Sequence, residues 1–526
     1  MPDTVTFVVD GVTHVVPDDG ASLLDVLRDR IGARSVKDGC APQGQCGCCT
    51  VLVDGQPRVA CVTAARRVAG RSITTVAGLD DDTRSRWSEA MMCAGASQCG
   101  FCTPGIVVRL SALAAQGRAA TRHNVDQALL AHLCRCTGWL GIREAAALVA
   151  AGSLAGTGTG TGAGAGAGDV TRVASEQRAL LEGGNAQHLS GAVILGDAGF
   201  ADDGAPSDAL VALRADDGRW VVGESVHEAR TLAAKVQGRR STIPLRWPIA
   251  VPDGDWDRVL QTTWVEPAYL EPDAAWCEPG GEPATPLGNG GAFGAKRATE
   301  VGAVARRLAD EHRRAVRVLY SREDVVRLGP KRPPLAAGLR ADGTGIVQVV
   351  RTDGIADVIA SVAPGVSVVE IDVPGPPTSA ALRGAGWVEL AVLSASLQPS
   401  GPDVVVAPNG ARATAAFADD GALKIAVACG APLDPVVLRS YCIGAAHQAL
   451  GWVRSEAIAV DDGGEIHDLT IRSFGILRAQ DMPSITVDIE PSTDEPVNGS
   501  DAVFAAVAAA AWRAAQHPPR WPCHRR

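Results

Sequence analysis

The sequence lacks any long apolar run. Nothing in its 526 residues approaches 18 consecutive apolar residues, and the longest stretch, Val503–Ala511, is rich in alanine. A helix that crosses a membrane needs about 20 such residues, so no membrane partner is expected. The first residues, MPDTVTFVVDG, also lack the basic segment and apolar core of a secretory signal. We therefore expect a cytoplasmic protein.

An excess of basic residues is absent as well. The chain has 49 Lys and Arg against 59 Asp and Glu, which gives a net charge of −10. Proteins that bind nucleic acids usually carry a basic patch, so no nucleic-acid partner is expected. The contents of hydrophobic residues (46%) and charged residues (21%) are ordinary for globular proteins. The length corresponds to roughly three to four domains.

Cysteine is scarce over most of the chain and crowded at one end. Only four of the 14 cysteines lie beyond residue 136. The other ten are Cys40, Cys46, Cys48, Cys49, Cys61, Cys93, Cys99, Cys102, Cys134 and Cys136. In a reducing cytosol, clustered cysteines are more often metal ligands than disulfides. The distribution therefore predicts a metal-binding role for the N-terminal part.

A glycine-rich segment divides the chain. Residues 152–168 read GSLAGTGTGTGAGAGAG, a composition that has almost no side chain to bury and predicts a flexible linker. Its period of two cannot supply the glycine spacing of a dinucleotide-binding loop. We predict domains over residues 1–76, 77–151 and 169–526, with the linker between the second and the third.

Local patterns predict the fold class of the first domain. The apolar stretch TVTFVV is followed by the turn pair Asp10–Gly11, and a second hairpin turn is predicted at Asp54–Gly55. A helical apolar period covers residues 22–31, with Ser22 as its N-cap. Strands and one helix within so short a stretch predict a small α+β domain.

The remaining two regions differ in texture. Residues 80–150 predict a helical bundle, in which Thr103–Pro104 starts one helix and Asn124 caps the next. Beyond residue 169, strand-like and helix-like segments alternate, which predicts a mixed α/β region. The chain as a whole is therefore placed in the α+β class.

The first cysteine set has the spacing Cys40-x5-Cys46-x2-Cys49-x11-Cys61. Glycines at positions 39, 44 and 47 allow the backbone to wrap closely around an inorganic core and to direct N–H groups at its sulfurs. Four thiolates on such a loop and a following hairpin suit a [2Fe–2S] cluster. Zinc is the alternative, although zinc sites favour two C-x2-C pairs and this loop has one.

The second set consists of Cys99-x2-Cys102 in QCGFCTPG and Cys134-x-Cys136 in LCRCTGW. Each pair lies at a helix junction, where a positive helix end favours thiolates and an anionic cluster. The C-x-C pair is awkward for a zinc knuckle. The two pairs are expected to meet across the bundle.

In combination, these motifs resemble the iron–sulfur part of the molybdenum hydroxylases, the xanthine dehydrogenase/aldehyde oxidase family. The resemblance implies a plant-type ferredoxin β-grasp followed by a helical [2Fe–2S] bundle. It makes Cys40, Cys46, Cys49 and Cys61 the ligands of one cluster. It makes Cys99, Cys102, Cys134 and Cys136 the ligands of the cluster nearer molybdenum. It also implies that Gln98 hydrogen-bonds a molybdopterin.

Four features differ from the family pattern or have no role in it. The first spacing is x5 where the family has x4, and His132 stands where the family has Asn. We interpret His132 as a helix-capping or surface residue. Cys48 and Cys93 have no family role and are interpreted as small buried residues.

The part after residue 215 resembles the family's molybdenum-binding subunit more faintly. GNGGAFGAK, residues 288–296, is similar to its glycine-rich loop, which implies cofactor contacts for Gly290, Gly291, Phe293 and Gly294. GPPTSAALRGAGW is similar to its Arg-Gly-x-Gly motif, which implies that Arg383 faces the substrate. The pterin-gripping motifs are not found, so this region is interpreted as a shortened molybdopterin-binding subunit.

The residue that serves the family as catalytic base is also not matched. The family has Gly-x-Gly-Glu near its C-terminus, and this chain has Ser500 or Asp501 at the comparable place. No base is therefore assigned, and Asp501 is interpreted as a helix N-cap.

Two functions remain open at this point. The first is an oxidoreductase that hydroxylates a heterocycle or aldehyde and passes electrons through two [2Fe–2S] clusters, with molybdopterin cytosine dinucleotide and molybdenum as further cofactors. The second is a non-catalytic electron-transfer or docking subunit of a larger molybdo-flavoenzyme. No FAD-binding region is visible, so the resemblance implies a separate FAD-binding subunit, a hetero-oligomer and a small-molecule substrate.

Overall fold

The computed structural model describes most of the chain. The described residues are 4–152, 167–187, 189–235, 238, 241–284, 291–297, 299–398 and 404–524. Among them, no helix combines the length and the apolar character that a membrane crossing requires. The predicted glycine-rich linker lies mostly outside these ranges, because residues 153–166 are not described.

The N-terminal domain is a five-stranded sheet in the order β2-β1-β5-β3-β4. Its strands are β1 (Thr4–Val9), β2 (Val12–Pro17), β3 (Thr50–Val53), β4 (Gln56–Val59) and β5 (Ser72–Thr74). Both predicted hairpins are present, with Asp10 and Asp54 in the left-handed region at φ 49° and 48°. Such residues at a tight turn fit the right-handed twist of the flanking strands.

One short helical segment packs across this sheet. It comprises α1 (Leu23–Asp25) and a π-helical turn over Val26–Arg30, and Ser22 caps it as predicted by accepting from the Asp25 N–H. Short 3-10 turns follow at Ala60–Val62 and Ala65–Val68. Because Phe7, Leu24 and Val51 lie in one buried cluster, the domain has its own core.

Four helices form the predicted bundle. They are α2 (Asp81–Cys93), α3 (Thr103–Ala115), α4 (Arg122–Ala128) and α5 (Leu140–Ala151). The α3 helix begins at Thr103 with Pro104 in its first turn, as predicted. The predicted cap of α4 is wrong: Thr121 is the N-cap, and its side chain accepts from the Asn124 N–H. Asn124 lies in the first turn of the helix. Its own N–H is one of the free donors that a cap residue satisfies, and Thr121 accepts from it.

The third region contains three four-stranded sheets among its described residues. The first has the order β7-β6-β10-β9, the second β13-β12-β11-β8 and the third β14-β15-β16-β17. The strands are β6 (Leu210–Arg214), β7 (Trp220–Gly223), β8 (Arg258–Gln261), β9 (Ala274–Cys277), β10 (Val316–Leu319), β11 (Leu335–Leu339), β12 (Gly345–Val350), β13 (Val366–Ile371), β14 (Val405–Val406), β15 (Arg412–Phe417), β16 (Leu423–Ala428) and β17 (Ile485–Ile489).

Helices connect and cover these sheets. They are α6 (Ala167–Gly183), α7 (Gly191–Ile194), α8 (Val226–Ala233), α9 (Val301–His312), α10 (Arg322–Leu328), α11 (Ile355–Ala360), α12 (Trp387–Ala395), α13 (Pro435–Arg454) and α14 (Ser500–Ala514), with 3-10 turns at Ala295–Arg297, Ile471–Phe474 and Ala479–Asp481. The α13 and α14 helices pack against each other and are buried over most of their length. The α+β class predicted from the sequence is confirmed.

Buried ion pairs join the N-terminal domain to the third region. Arg28 contacts Asp202 at 2.6 Å and Asp203 at 2.9 Å, and Arg317 contacts Asp29 at 2.8 Å. Desolvation opposes the charge of buried Arg28, but its two carboxylate partners outweigh it, so the pKa of Arg28 lies above its ordinary value. These contacts hold the helical segment of the first domain against the third region.

Candidate functional site: two cysteine clusters and an arginine-lined cavity

The first cysteine set converges between the sheet and its loop. Cys40 and Cys46 lie on the glycine-rich loop, Cys49 directly precedes β3, and Cys61 lies in the 3-10 turn after β4. The Cys40 side chain contacts those of Cys46 and Cys61, and Cys61 also contacts Cys49. All four side chains are buried. The structure therefore brings together the four residues that the spacing singles out.

Backbone N–H groups point at these sulfurs. The N–H groups of Gln45 and Cys46 donate to Cys40 Sγ, each at 3.3 Å, and the Cys61 N–H donates to Cys49 Sγ at 3.4 Å. A side chain at Gly39 would place its Cβ 3.1 Å from Cys46 Sγ. Donors of this kind stabilise thiolates and tune a cluster that they bind.

The second set is arranged as two pairs inside the helical bundle. Cys99 Sγ lies 3.6 Å from Cys136 Sγ, and the Cys102 side chain contacts that of Cys134. The Cys102 thiol donates to Cys134, as do the hydroxyl and the backbone N–H of Thr137. These donors lower the pKa of Cys134 to about 6. Two pairs of thiols match a [2Fe–2S] cluster, which has two irons and four cysteine ligands.

The thiols of the second set contact each other in pairs. Among the described residues, no three His, Cys, Asp or Glu side chains converge at one point to hold a metal ion. The sulfurs of Cys99 and Cys136, and those of Cys102 and Cys134, instead lie side by side. Such pairs of thiols suit a two-iron cluster, in which each iron takes two cysteine ligands.

The two sets adjoin each other. A side chain at Gly105, in the first turn of α3, would lie 2.6 Å from the Gly47 carbonyl oxygen and 2.9 Å from that of Cys48. The buried Cys48 thiol interacts electrostatically with Cys40 and with Cys99, one ligand candidate of each set. Glycine at position 105 therefore permits the close contact through which the two sets face one another.

Two interpretations from the sequence are wrong here. His132 is neither a cap nor a surface residue, because it is 2% exposed and its Nε2 lies 3.1 Å from Thr50 Oγ1. Its ring packs directly against Gly47, because a Cβ added at Gly47 would lie 2.6 Å from the His132 ring. Cys93 is exposed at the end of α2, so it is not a buried filler, whereas Cys48 is buried as interpreted.

Gln98 lies beside the second set. Its Nε2 donates to the Cys136 carbonyl at 2.9 Å and to Ser440 Oγ on α13 at 3.2 Å. Its Oε1 is buried and has no hydrogen-bond partner. A small cavity lined by Gln98 and Gln187 lies there, and the Gln187 Oε1 is also without a partner. An unpaired buried acceptor is costly, so this position fits a ligand that supplies a donor.

The described part of the glycine-rich loop lies between the bundle and Arg383. Gly291, at φ 84°, approaches Arg135 so closely that a Cβ would lie 2.7 Å from it and 3.4 Å from Cys136 Sγ. The φ angle of Gly294 is 103°, and a Cβ added there would lie 2.0 Å from the Ala381 carbonyl oxygen. Gly290 lies outside the described residues. The loop is thus in contact with a proposed cluster ligand.

Arg383 is buried and fully engaged by the chain itself. It lies over the Phe293 ring, with 3.5 Å between Cζ and the ring centroid. Its Nε donates to Asp501 Oδ1 at 2.8 Å, and its Nη2 donates to Ser500 Oγ at 2.7 Å. Asp501 is not an N-cap, because α14 starts at Ser500 after Gly499, and Asp501 pairs with Arg383 instead.

Two buried ion pairs lie next to this site. Arg135, between Cys134 and Cys136, donates to both carboxylate oxygens of Glu456 at 2.6 and 2.7 Å. Glu182, near the end of α6, pairs with Arg178 at 3.0 Å, and its carboxylate accepts the N–H groups of Gly499 and Ser500. Arg178 and Glu182 are an i,i+4 pair on α6. Arg135 and Glu456 are 321 residues apart, and Glu182 is 317 residues from Gly499, so only the fold reveals these two contacts.

A cavity of about 40 Å³ lies beside the Arg135–Glu456 pair. Its apolar walls include Phe293 and Trp452, and its charged walls are Arg135, Glu266, Arg332, Arg383 and Glu456. Arg332 lies over the Trp452 ring at 4.1 Å. The site is therefore a compact, internally paired charge cluster beside the second cysteine set.

The chain is similar to known proteins over its N-terminal part. Residues 75–147 match the family described as the [2Fe-2S] binding domain. The chain is 37% identical over 132 residues to the nicotinate dehydrogenase small FeS subunit of Eubacterium barkeri, a match that covers 25% of this chain and 83% of the relative. It is 40% identical over 129 residues to the xanthine dehydrogenase iron-sulfur-binding subunit of Escherichia coli O157:H7, covering 24% and 79%.

A solved structure is similar over the whole chain. The aldehyde oxidoreductase from Desulfovibrio gigas aligns with a TM-score of 0.69 and covers 99% of this chain and 99% of that one. The sequence identity in that alignment is 14%, so the likeness shows the fold.

Proposed function

We propose that this chain, which belongs to the molybdenum hydroxylase family, is an oxidoreductase component. In this function it carries electrons through two [2Fe–2S] clusters. The observation that supports this most directly is the pair of adjoining four-cysteine sets. One set lies on the N-terminal sheet domain and the other in the helical bundle. Cys48 lies between them.

The protein's own residues perform three tasks in this function. Cys40, Cys46, Cys49 and Cys61 hold one cluster, and Cys99, Cys102, Cys134 and Cys136 hold the other. Backbone N–H groups donate to the sulfurs of Cys40 and Cys49 and favour the anionic state. Burial of both sets excludes water from the path between them. Clusters held at these two sets would supply one-electron redox chemistry at adjoining positions of the bundle and the sheet domain.

Iron analysis and EPR spectroscopy test this proposal. The purified chain should hold about four irons, and the reduced protein should show two distinct [2Fe–2S] signals. Cys102→Ala should remove about two irons and one signal, while Cys93→Ala, at an exposed cysteine, should change neither. Zinc in place of iron, or one signal only, would contradict the proposal.

Hydroxylation of a heterocycle or aldehyde is a second candidate, and the unpaired Gln98 Oε1 favours it. The buried Gln98 Oε1 beside Cys136 fits a molybdopterin, because it is an acceptor that lacks a hydrogen-bond donor. Gln98, Gly291, Phe293 and Gly294 would hold the cofactor, which supplies two-electron redox chemistry when bound. Arg383 would have to leave Asp501 and Ser500 before it could face a substrate.

The two candidates are separated by metal and nucleotide analysis. Expression in a molybdate-fed host should give molybdenum equal to the amount of chain, and a cytidine nucleotide on denaturation, if this chain hydroxylates. Iron without molybdenum would favour the electron-transfer subunit. In either case we propose an FAD-binding subunit as the electron acceptor, in a hetero-oligomer, and a co-purification experiment tests it.

A further inference from the structure

A serine, a histidine and an aspartate outside the cysteine sets form a continuous chain of hydrogen bonds. Ser241 Oγ lies 2.6 Å from Nδ1 of His467, and the other ring nitrogen, Nε2, lies 2.8 Å from Asp461 Oδ2. Both distances are normal for hydrogen bonds between these groups. Ser241 and His467 are 226 residues apart, so the fold brings the three side chains together.

The turn that carries the aspartate fixes its carboxylate. Asp461 Oδ1 accepts the N–H groups of Gly463 and Glu465, each at 3.0 Å, and Oδ2 faces the histidine. The hydrogen bond from His467 and those from the two N–H groups hold the pKa of Asp461 below its ordinary value. An ionised carboxylate only accepts hydrogen bonds, so Nε2 of neutral His467 carries the ring proton. The Nδ1 atom is then an acceptor that faces the serine hydroxyl.

The segment that carries the serine is tied to the same turn. Arg246, a few residues after Ser241, forms an ion pair with Asp462, which follows Asp461. Ser241 itself is exposed, whereas the side chain of His467 is only 14% exposed. The serine hydroxyl is therefore open to solvent, and the histidine ring behind it is held in one orientation.

The three side chains have the roles of a nucleophile, a general base and an orienting carboxylate. Such a triad is identified by its geometry, because its members occur in different orders along unrelated chains. The N–H of Thr242 donates to no backbone carbonyl of the residues that the structure describes. The N–H that directly follows a nucleophile is a common donor to the oxyanion of the reaction.

We propose that Ser241, His467 and Asp461 form a second active site that hydrolyses small carboxylic esters without the metal clusters. The exposed position of the serine suits short, activated esters, which need little binding surface.

The reaction proceeds in two halves. Ser241 Oγ forms a bond to the ester carbonyl carbon, and its proton moves to His467 Nδ1. The bond from that carbon to the alcohol oxygen then breaks, and His467 gives the proton to the departing alcohol, which leaves an acyl group on Ser241. Water gives a proton to His467 and attacks the acyl carbon, which releases the carboxylic acid and restores the serine. No electron is transferred, so the site needs no redox partner.

Labelling of the full chain with a fluorophosphonate probe tests the nucleophile. The probe reacts with serines that a neighbouring base activates, and peptide mass spectrometry identifies the labelled residue. Ser241 should be labelled, whereas Ser361, an exposed serine whose hydroxyl donates to the Val358 carbonyl, should not. His467→Gln should lower the labelling of Ser241 about tenfold or more. His123→Gln, at an exposed position of α4, should leave it unchanged.

Hydrolysis of p-nitrophenyl acetate is the second measurement. The wild type should release p-nitrophenol and carry an acetyl group on Ser241, and Ser241→Ala should lower the rate about tenfold or more. Asp461→Asn should also lower the rate about tenfold or more, because an amide favours the wrong tautomer of the histidine. Ser361→Ala should react as the wild type does.

Two results would overturn the second active site: a folded wild type without label at Ser241, or an unchanged rate of hydrolysis in Ser241→Ala. The iron content and EPR signals of Ser241→Ala should equal those of the wild type, which shows that the variant is folded. Because the two cysteine sets take no part in ester hydrolysis, failure of this site leaves the electron-transfer function intact.

Discussion

Arg135 and Glu456 form a bidentate ion pair in which both side chains are almost completely buried, at 6% and 2% exposure. Arg135 lies between two cysteines of the second set, and Glu456 follows α13. The pair therefore places a compensated charge against the proposed cluster. Burial raises the pKa of Glu456, and Arg135 opposes that rise and favours the charged form.

Replacing Glu456 by Gln should alter the cluster as well as the fold. The Arg135 charge loses its counter-charge and stabilises the more negative reduced cluster, so the reduction potential of the second cluster should rise. Breaking a buried pair should also cost about 3–5 kcal/mol in the free energy of unfolding. EPR-monitored redox titration and urea unfolding measure the two effects.

The matched control is Glu144→Gln. Glu144 makes a similar pair with Arg439 at 2.6 Å, but both side chains are about one-third exposed. Its loss should change stability by less than about 1 kcal/mol and leave both potentials alone. Equal potential shifts in the two variants would show that Arg135 has no special influence on the cluster.

A substitution of Glu182 tests what stabilises the third region. Its loss in Glu182→Gln leaves the fully buried Arg178 without a counter-charge and the N-terminus of α14 without an anion. We expect a loss of about 3–5 kcal/mol in the free energy of unfolding. Urea unfolding checks this, with Glu89→Gln at an exposed position of α2 as the control that should change little.

The sequence predicts those features that depend on near neighbours. The hairpins at Asp10 and Asp54, the Ser22 cap and the start of α3 at Thr103 depend on a few adjacent residues. The two cysteine sets are also visible, because ligand spacing along a loop is local. The mixed α+β class follows from the same short-range patterns.

The sequence could not reveal pairings between distant residues. Arg383 has the Arg-Gly-x-Gly pattern around it, yet its partners Asp501 and Ser500 lie more than 100 residues away. His132 carries no local sign that the space above Gly47 would enclose it. Such contacts depend on how the third region folds onto the bundle.

The pH dependence of stability should depend on His447, a fully buried residue of α13. Desolvation lowers the pKa of His447 to about 4, from an ordinary value of about 6.5. Its ring nitrogen Nε2 contacts the Leu477 carbonyl at 2.9 Å. Between these pKa values the unfolded chain binds a proton that the folded chain does not. The contribution of neutral His447 to the free energy of unfolding is therefore present above pH 6.5 and is lost as the pH falls towards 4.

At pH 5 this loss should amount to about 2 kcal/mol relative to neutral pH. Urea unfolding at a series of pH values measures it. His447→Gln should reduce the dependence in that window, whereas His123→Gln, at an exposed position of α4, should leave it unchanged. Part of the dependence should remain, because burial also lowers the pKa of His132, to about 3. An identical pH profile in His447→Gln would contradict the assignment.

The position of the glycine-rich loop should depend on Gly294. An added Cβ would lie 2.0 Å from the Ala381 carbonyl oxygen, and the φ angle of 103° is unfavourable for any other residue. Gly294→Ala should therefore displace the loop from Arg383 and lower the free energy of unfolding by about 3 kcal/mol or more. Gly343→Ala is the control, since it has a φ of 83° but open space around the Cβ. It should cost about 1 kcal/mol, from backbone strain alone. A similar loss in both variants would mean that the close contact with Ala381 does not hold the loop in place.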